Sequence, residues 1–108
     1  MAFQYAKQRI IKDITIDDKR IQVIGYIKNK IDDNQIILED KTGEINVNLI
    51  SINDFNFNEN ELINIIGDLE FQSTGEKVIN ADIVQDMNKL NFKYYQKLYQ
   101  IKKELDLT

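Results

Sequence analysis

The hydrophobic pattern first becomes regular at Lys19. Between residues 19 and 31, Ile21, Val23, Gly25, Ile27 and Ile31 alternate with Gln22, Ile24, Tyr26, Lys28 and Lys30. A period of two predicts a long strand with one buried face. Asp32-Asp33-Asn34 interrupts it with residues that tolerate tight and left-handed backbone. Gln35-Ile36-Ile37-Leu38-Glu39 predicts a second strand and Lys41-Thr42-Gly43 a second tight turn. Ile45, Val47 and Leu49 then alternate with Glu44, Asn46 and Asn48, so residues 19–50 read as a three-stranded meander. Residues 51–60 are polar with Phe55 and Phe57 embedded, and mark a break. Beyond it, Ile63, Ile65, Gly67, Leu69 and Phe71 form a fourth alternating run, Ser73-Thr74-Gly75-Glu76 a hairpin loop, and residues 78–84 a fifth strand. Residues 1–18 are a lead-in in which Ile10, Ile11, Ile14 and Ile16 are interleaved with charge.

After Asp86 the period becomes helical. Met87, Asn91, Tyr94, Leu98, Ile101 and Leu105 follow a 4-3-4-3-4 spacing, an a/d seam. Phe92, Tyr95 and Tyr99 form a second stripe on an adjacent face. Both stripes could cap the chain's own barrel, but one barrel end covers only part of so much apolar surface, so the preferred expectation is that one stripe docks at home and the other meets partner helices. The chain thus divides into a barrel with its lead-in (1–86) and a C-terminal assembly helix (87–108), within one domain.

Glycine inside a strand marks a bulge, a bend or close backbone approach. Gly25 and Gly67 therefore sit where a small closed barrel turns its corners. Five strands in a 3+2 arrangement with a C-terminal helix are all-β with one helix, an OB-fold: a five-stranded Greek-key barrel.

The residues also resemble a known family. Arg20-Ile21-Gln22-Val23-Ile24-Gly25-Tyr26-Ile27, then Ile37-Leu38-Glu39-Asp40-Lys41-Thr42-Gly43-Glu44-Ile45-Asn46-Val47, are similar to the strand and hairpin of the replication protein A family, V-x-V-x-G-x-V and L-x-D-x-T-G-x-I-x-V. Ile63-Asn64-Ile65-Ile66-Gly67-Asp68-Leu69 resembles that family's fourth strand. The D-x-T-G hairpin also occurs in anticodon-binding OB domains and in the telomeric Stn1 and Ten1 proteins. The resemblance covers about residues 9–105. It implies a small or middle subunit of a heteromeric complex on single-stranded DNA, whose partners are other OB-fold subunits held in a helix bundle. Within the hairpin, Asp40 is expected to bond turn amides and Gly43 to take positive φ, both structural roles.

Composition removes much chemistry. The 108 residues include no His, Cys, Trp or Pro, so zinc sites, catalytic triads and thiol nucleophiles are absent. The four isolated glycines match no phosphate loop. Adjacent Asp32 and Asp33 read as a solvated turn rather than a metal-binding carboxylate pair. The chain is read as non-catalytic, without cofactor or metal. No apolar run is long enough to span a membrane, and Met1-Ala2-Phe3-Gln4-Tyr5-Ala6-Lys7 lacks a signal-peptide core. An intracellular, chromosome-associated protein is expected, nuclear if eukaryotic and cytoplasmic if archaeal. Heavy use of Ile (19), Asn (12) and Lys (12) suits an AT-rich genome, and the abundant amides argue against a hyperthermophile.

Charge separates binder from scaffold. Residues 1–86 carry 9 Lys+Arg against 16 Asp+Glu, whereas residues 87–108 carry 5 Lys against 2 acids. OB-folds bind single strands through a basic, aromatic-bearing face on the second and third strands. Here residues 35–50 offer no aromatic, one Lys and three acids. Phosphate contacts supply most non-specific affinity, so weak or indirect binding is expected. The nucleic-acid candidates are Tyr26, Lys28 and Lys30 on the outer parity of the first strand, with Phe71 and Lys77 flanking the last loop. Phe71 also shares parity with Ile65 and Leu69, and Phe55 and Phe57 are expected to plug the barrel. The partner-interface candidates are Met87, Tyr94, Tyr95, Leu98, Tyr99, Ile101 and Leu105. A stand-alone single-strand or tRNA-binding protein is the alternative, opposed by the acidic, aromatic-poor face.

Overall fold

Residues 6–106 are described by the computed structural model. Residues 1–5, part of the stretch read as lacking a signal-peptide core, and 107–108, the end of the segment expected to form the helix, lie outside the described residues. The lead-in supplies the two-residue strand β1 (Lys7–Gln8) and a 3-10 turn at Ile11–Asp13. The five expected strands follow as β2 (Arg20–Asp32), β3 (Gln35–Glu39), β4 (Glu44–Asn48), β5 (Leu62–Phe71) and β6 (Lys77–Asp86), and then the helix α1 (Phe92–Asp106). β2, β3 and β4 form the antiparallel meander. β4 then runs parallel to β6, β6 is antiparallel to β5, and β5 returns to β2, closing the barrel. This strand order is the OB-fold.

Alternation decides what the barrel contains. Ile21, Val23 and Ile27 of β2 meet Ile36, Leu38, Ile45, Val47, Ile63, Ile65 and Ile79 in one cluster. Ile11 and Ile14 of the lead-in join it. Phe55 and Phe57, with rings 5.4 Å apart, pack against it, as a plug would. A second, outer cluster gathers Ile24, Leu62 and Phe92, with Tyr26, Met87, Leu90 and Tyr95 against them. Ile24 and Tyr26, on the polar parity of β2, are therefore roofed by the start of α1.

Gly67 lies at a bulge, where the β5–β6 register shifts between Ile66 and Gly67. A Cβ there would collide with the Asn80 carbonyl oxygen and come within 2.8 Å of Ala81 Cα. Arg20 straddles the bulge, bonding Asp68 at 3.2 Å and both Asp82 oxygens at 2.9 Å. Gly43 departs from expectation. The positive φ of the hairpin falls on Lys41 (73°), and Gly43 instead makes room for Ile11, whose Cγ2 would lie 3.0 Å from an added Cβ.

The helix starts later than its spacing suggested, at Phe92 rather than Met87. Asn88 explains the delay, because its Oδ1 accepts the Leu62 amide (2.9 Å) and its own amide donates to Asp86 (2.8 Å). Such local side-chain bonds compete with helix and hold residues 87–91 as a turn. Asn91 is then the N-cap rather than a seam position, its Oδ1 accepting the Tyr94 amide at 3.0 Å.

Candidate nucleic-acid and partner interfaces

The face on which OB-folds take single strands is here β3 and β4 under the β5–β6 loop. Ile37, Glu44, Ile45, Asn46, Gly75, Glu76 and Lys77 line an open groove there. Asn46 donates to Glu76 across it at 3.2 Å. The nearby cations are already engaged. Lys28 donates to Glu44 at 2.7 Å, and that hydrogen bond raises its pKa. Lys77 reaches back to the Ile14 carbonyl at 3.3 Å. A phosphate entering this groove meets two carboxylates and no uncommitted ammonium.

The five nucleic-acid candidates do not form one surface. Tyr26 is half-buried, its ring edge-on to Phe92 with centroids 5.1 Å apart, so stacking a base on it requires lifting the start of α1. Lys28 is in its ion pair, and Lys30 lies over the Phe55 ring, 5.9 Å from the centroid. Phe71 is half-buried and stands opposite Lys77 in the β5–β6 ladder. That pair lies beyond the Arg20 end of β2, whereas Lys30 approaches the other end.

The hairpin between β3 and β4 works as an anchor. Asp40, fully buried, accepts the Ile11 amide (2.7 Å), the Thr42 amide (2.9 Å) and the Thr42 hydroxyl (2.6 Å). Its backbone carbonyl takes a 2.6 Å bond from Gln96 of α1. The structural role expected for Asp40 thus extends to the lead-in and the helix.

α1 docks by its aromatic side. Phe92 is buried, Tyr95 stacks near it, and the Tyr95 hydroxyl accepts from Gln8 at 2.8 Å. Tyr99 donates to Asp13 at 2.9 Å and Lys103 bonds the same carboxylate at 3.1 Å. Burial alone would raise the Asp13 pKa, but the Lys103 and Tyr99 bonds outweigh it and hold it below the usual range. Burial pushes the Tyr95 and Tyr99 hydroxyls up.

The seam residues of α1 point elsewhere. Tyr94, Leu98, Ile101 and Leu105 are 59, 47, 51 and 68% exposed. At 100° per residue they lie on one stripe, away from Phe92 and Tyr99. Leu98, Ile101 and Leu105 line a mainly apolar groove with Gln8, Tyr95 and Tyr99. Of the seven partner candidates, four are therefore displayed. Tyr95 and Tyr99 are half-buried against the barrel, and Met87 precedes the helix and packs beneath it.

A family model described as telomere-capping, CST complex subunit matches residues 15–105, from the lead-in almost to the end of α1. The chain belongs to this family. The likeness to replication protein A in the strand and hairpin motifs thus resolves toward the telomeric branch. A chain of the S. pombe Stn1–Ten1 complex superposes with a TM-score of 0.79 at 15% identity, over 95% of this chain and 96% of that one. The S. pombe telomere capping protein Ten1 gives 0.76 at 16%, over 93% and 99%. A replication protein A heterotrimer bound to ssDNA contributes a chain at 0.61 and 14%, over 83% and 75%. Identities this low carry the fold alone. No curated protein sequence matches the chain.

Several residues that shape this telomere-capping OB-fold escape a reading by periodicity. Asn91 was legible as a cap from Asn-Phe-Lys-Tyr, had the seam not claimed it. Asp13 and Gln96 carry no local signal, since their partners lie 86 and 56 residues away. Among the described residues no group of three or more acidic side chains is placed to hold a metal, and no helix is long and apolar enough to cross a membrane.

Proposed function

We propose that the chain is a small, non-catalytic subunit of a CST-like complex on single-stranded telomeric DNA, and that its main task is assembly through α1. Its partner on this reading is another OB-fold subunit, of the Stn1 kind, presenting a helix of its own. The complex is chromosome-associated and nuclear. The observation that carries the reading is the exposed stripe of Tyr94, Leu98, Ile101 and Leu105 on a helix whose opposite face is already docked. The barrel contributes little DNA affinity, because its groove carboxylates occupy or oppose the available cations.

The test is Leu98→Asp with Ile101→Asp. Each buried Leu or Ile contributes about 1.5–3 kcal/mol to an interface, and each introduced carboxylate would have to be desolvated. Both side chains are about half exposed in the free chain, so circular dichroism should report an intact fold. Sizing by light scattering should report loss of the partner. A double variant that keeps its partner refutes assembly through this stripe; one that unfolds shows that α1 belongs to the barrel core.

A further inference from the structure

Of the ten described lysines outside the ion pairs, four sit on segments that meet at one junction. Where α1 crosses the Asp40–Gly43 hairpin, the Gln96 amide fixes the crossing by its 2.6 Å bond to the Asp40 carbonyl. Lys41 follows Asp40 at the hairpin tip, exposed and held at φ 73°. Lys12 is exposed beside it, its backbone amide 3.2 Å from the Thr42 hydroxyl. On α1, Lys93 and Lys97 are exposed on the flank next to Gln96, about 60° and 100° further round the helix. None of these four forms an ion pair among the described residues, unlike Arg9, Arg20, Lys28 and Lys103.

The neighbouring acids are partly committed. Asp13 is paired with Lys103 and Glu44 with Lys28, whereas Asp40, buried, and Glu104 accept only from neutral donors and keep their charge. Glu39, half-buried on β3, remains. In a chain of net charge −4 this junction is a cationic surface of four flexible ammonium groups. Four ammonium groups answer charge and read no base edge.

We infer that the helix–hairpin junction formed by Lys12, Lys41, Lys93 and Lys97 is a phosphodiester-backbone contact, carrying a single strand across the outside of the subunit instead of through the β3–β4 groove. The inference rests on the single-stranded-DNA setting proposed above but on none of the four stripe residues; Lys97 borders that stripe, about 40° from Ile101 round the helix, so DNA binding and partner binding are read separately.

Anisotropy of a labelled oligothymidine of about 20 nucleotides, longer than the roughly 4–16-nucleotide sites of OB-folds, tests it with the intact chain. Single strands lose about 0.7 of salt slope per phosphate contact, so four contacts give a slope near 2.8 and roughly a 50-fold fall in affinity between 50 and 200 mM salt. The variant K12Q/K41Q/K93Q/K97Q should lose most of that slope, and K28Q/K30Q should keep it, with circular dichroism unchanged in both. A junction variant that binds like the parent overturns the inference. So does a parent chain that fails to bind at low salt, or a loss confined to K28Q/K30Q, which would return the strand to the barrel. A junction variant that binds DNA normally but loses its protein partner also overturns it, and assigns the lysines to an acidic partner surface. Sizing of the same variants keeps the assembly reading separately testable.

Discussion

Asp40→Ala is the most demanding single change this barrel offers. The carboxylate is 1% exposed and accepts three bonds, of which the one from the Ile11 amide is fully buried and the two from Thr42 partly so. Hydrogen bonds to a charged group contribute about 1.5–3 kcal/mol, and a buried donor left without an acceptor costs about 1–3 kcal/mol. The Ile11 amide has no water to turn to, whereas the Thr42 donors do, so the loss should total about 3–4 kcal/mol. Domains of this size are stable by about 5–15 kcal/mol, so the variant folds but is visibly weakened. With an m-value near 2 kcal/mol/M, the urea midpoint should fall by about 1.5–2 M. Asp40→Asn keeps one acceptor oxygen and should lose roughly half as much. Fluorescence-detected urea unfolding of the three proteins decides it. A loss below about 1 kcal/mol for the alanine variant, or equal losses for both, would refute the claim that this carboxylate ties the lead-in to the hairpin.

Two further changes follow from the geometry. Gly67→Ala places a methyl against the Asn80 carbonyl and Ala81 Cα at the bulge, and overpacking of this kind should cost about 1–3 kcal/mol in the same assay; a neutral result would mean the bulge relaxes freely. The pH profile should fall at both ends. Burial alone would raise the Asp18 carboxyl, but Arg9 and the Thr15 amide hold it low, as Lys103 and Tyr99 hold Asp13. Those contributions are complete above the ordinary carboxylate value of about 3.9 and vanish as pH drops through the lowered values. Tyr95 and Tyr99, raised chiefly by burial, contribute below about 10 and lose it as pH climbs through their raised values. Melting temperatures across pH 2–11 should show both limbs, and Asp18→Asn should flatten the acid one; an unaltered acid limb would contradict this assignment.

Legibility followed the range of the interactions. The barrel strands were readable because alternation at Ile21, Val23 and Ile27, or at Ile63 and Ile65, is a local record of which side faces inward. Gly67 was readable as close approach for the same reason. The helix start was misread because apolar spacing is blind to capping: Met87 fits the seam by count, yet Asn88 bonds β5 and Asn91 caps the helix. Gly43 was misassigned because a tight turn needs one left-handed residue, and pattern alone cannot say that Lys41 supplies it. Tyr26 shows the larger limit. Its parity placed it outside the barrel correctly, but only the return of α1 over β2 decides that the ring lies beneath Phe92 rather than in solvent.

That return also bears on the assembly role proposed for the exposed stripe. An isolated helix of about 15 residues is marginal in water, so a free α1 would have to order on meeting its partner. Here the ordering is already done. Gln96 on the Asp40 carbonyl, Tyr99 and Lys103 on Asp13, Tyr95 on Gln8 and Phe92 on Ile24 and Leu62 hold one side of the helix along its length. Tyr94, Leu98, Ile101 and Leu105 are thereby presented in a fixed row, and binding loses side-chain freedom but little backbone freedom. The same ties couple the two halves of the molecule. A change that loosens the lead-in around Asp13 or the hairpin at Asp40 should weaken partner binding without touching the stripe, because it returns part of the ordering cost to the association step. Partner affinity and barrel stability should therefore fall together in Asp40→Ala, whereas Leu98→Asp with Ile101→Asp should lower the first and leave the second near its original value.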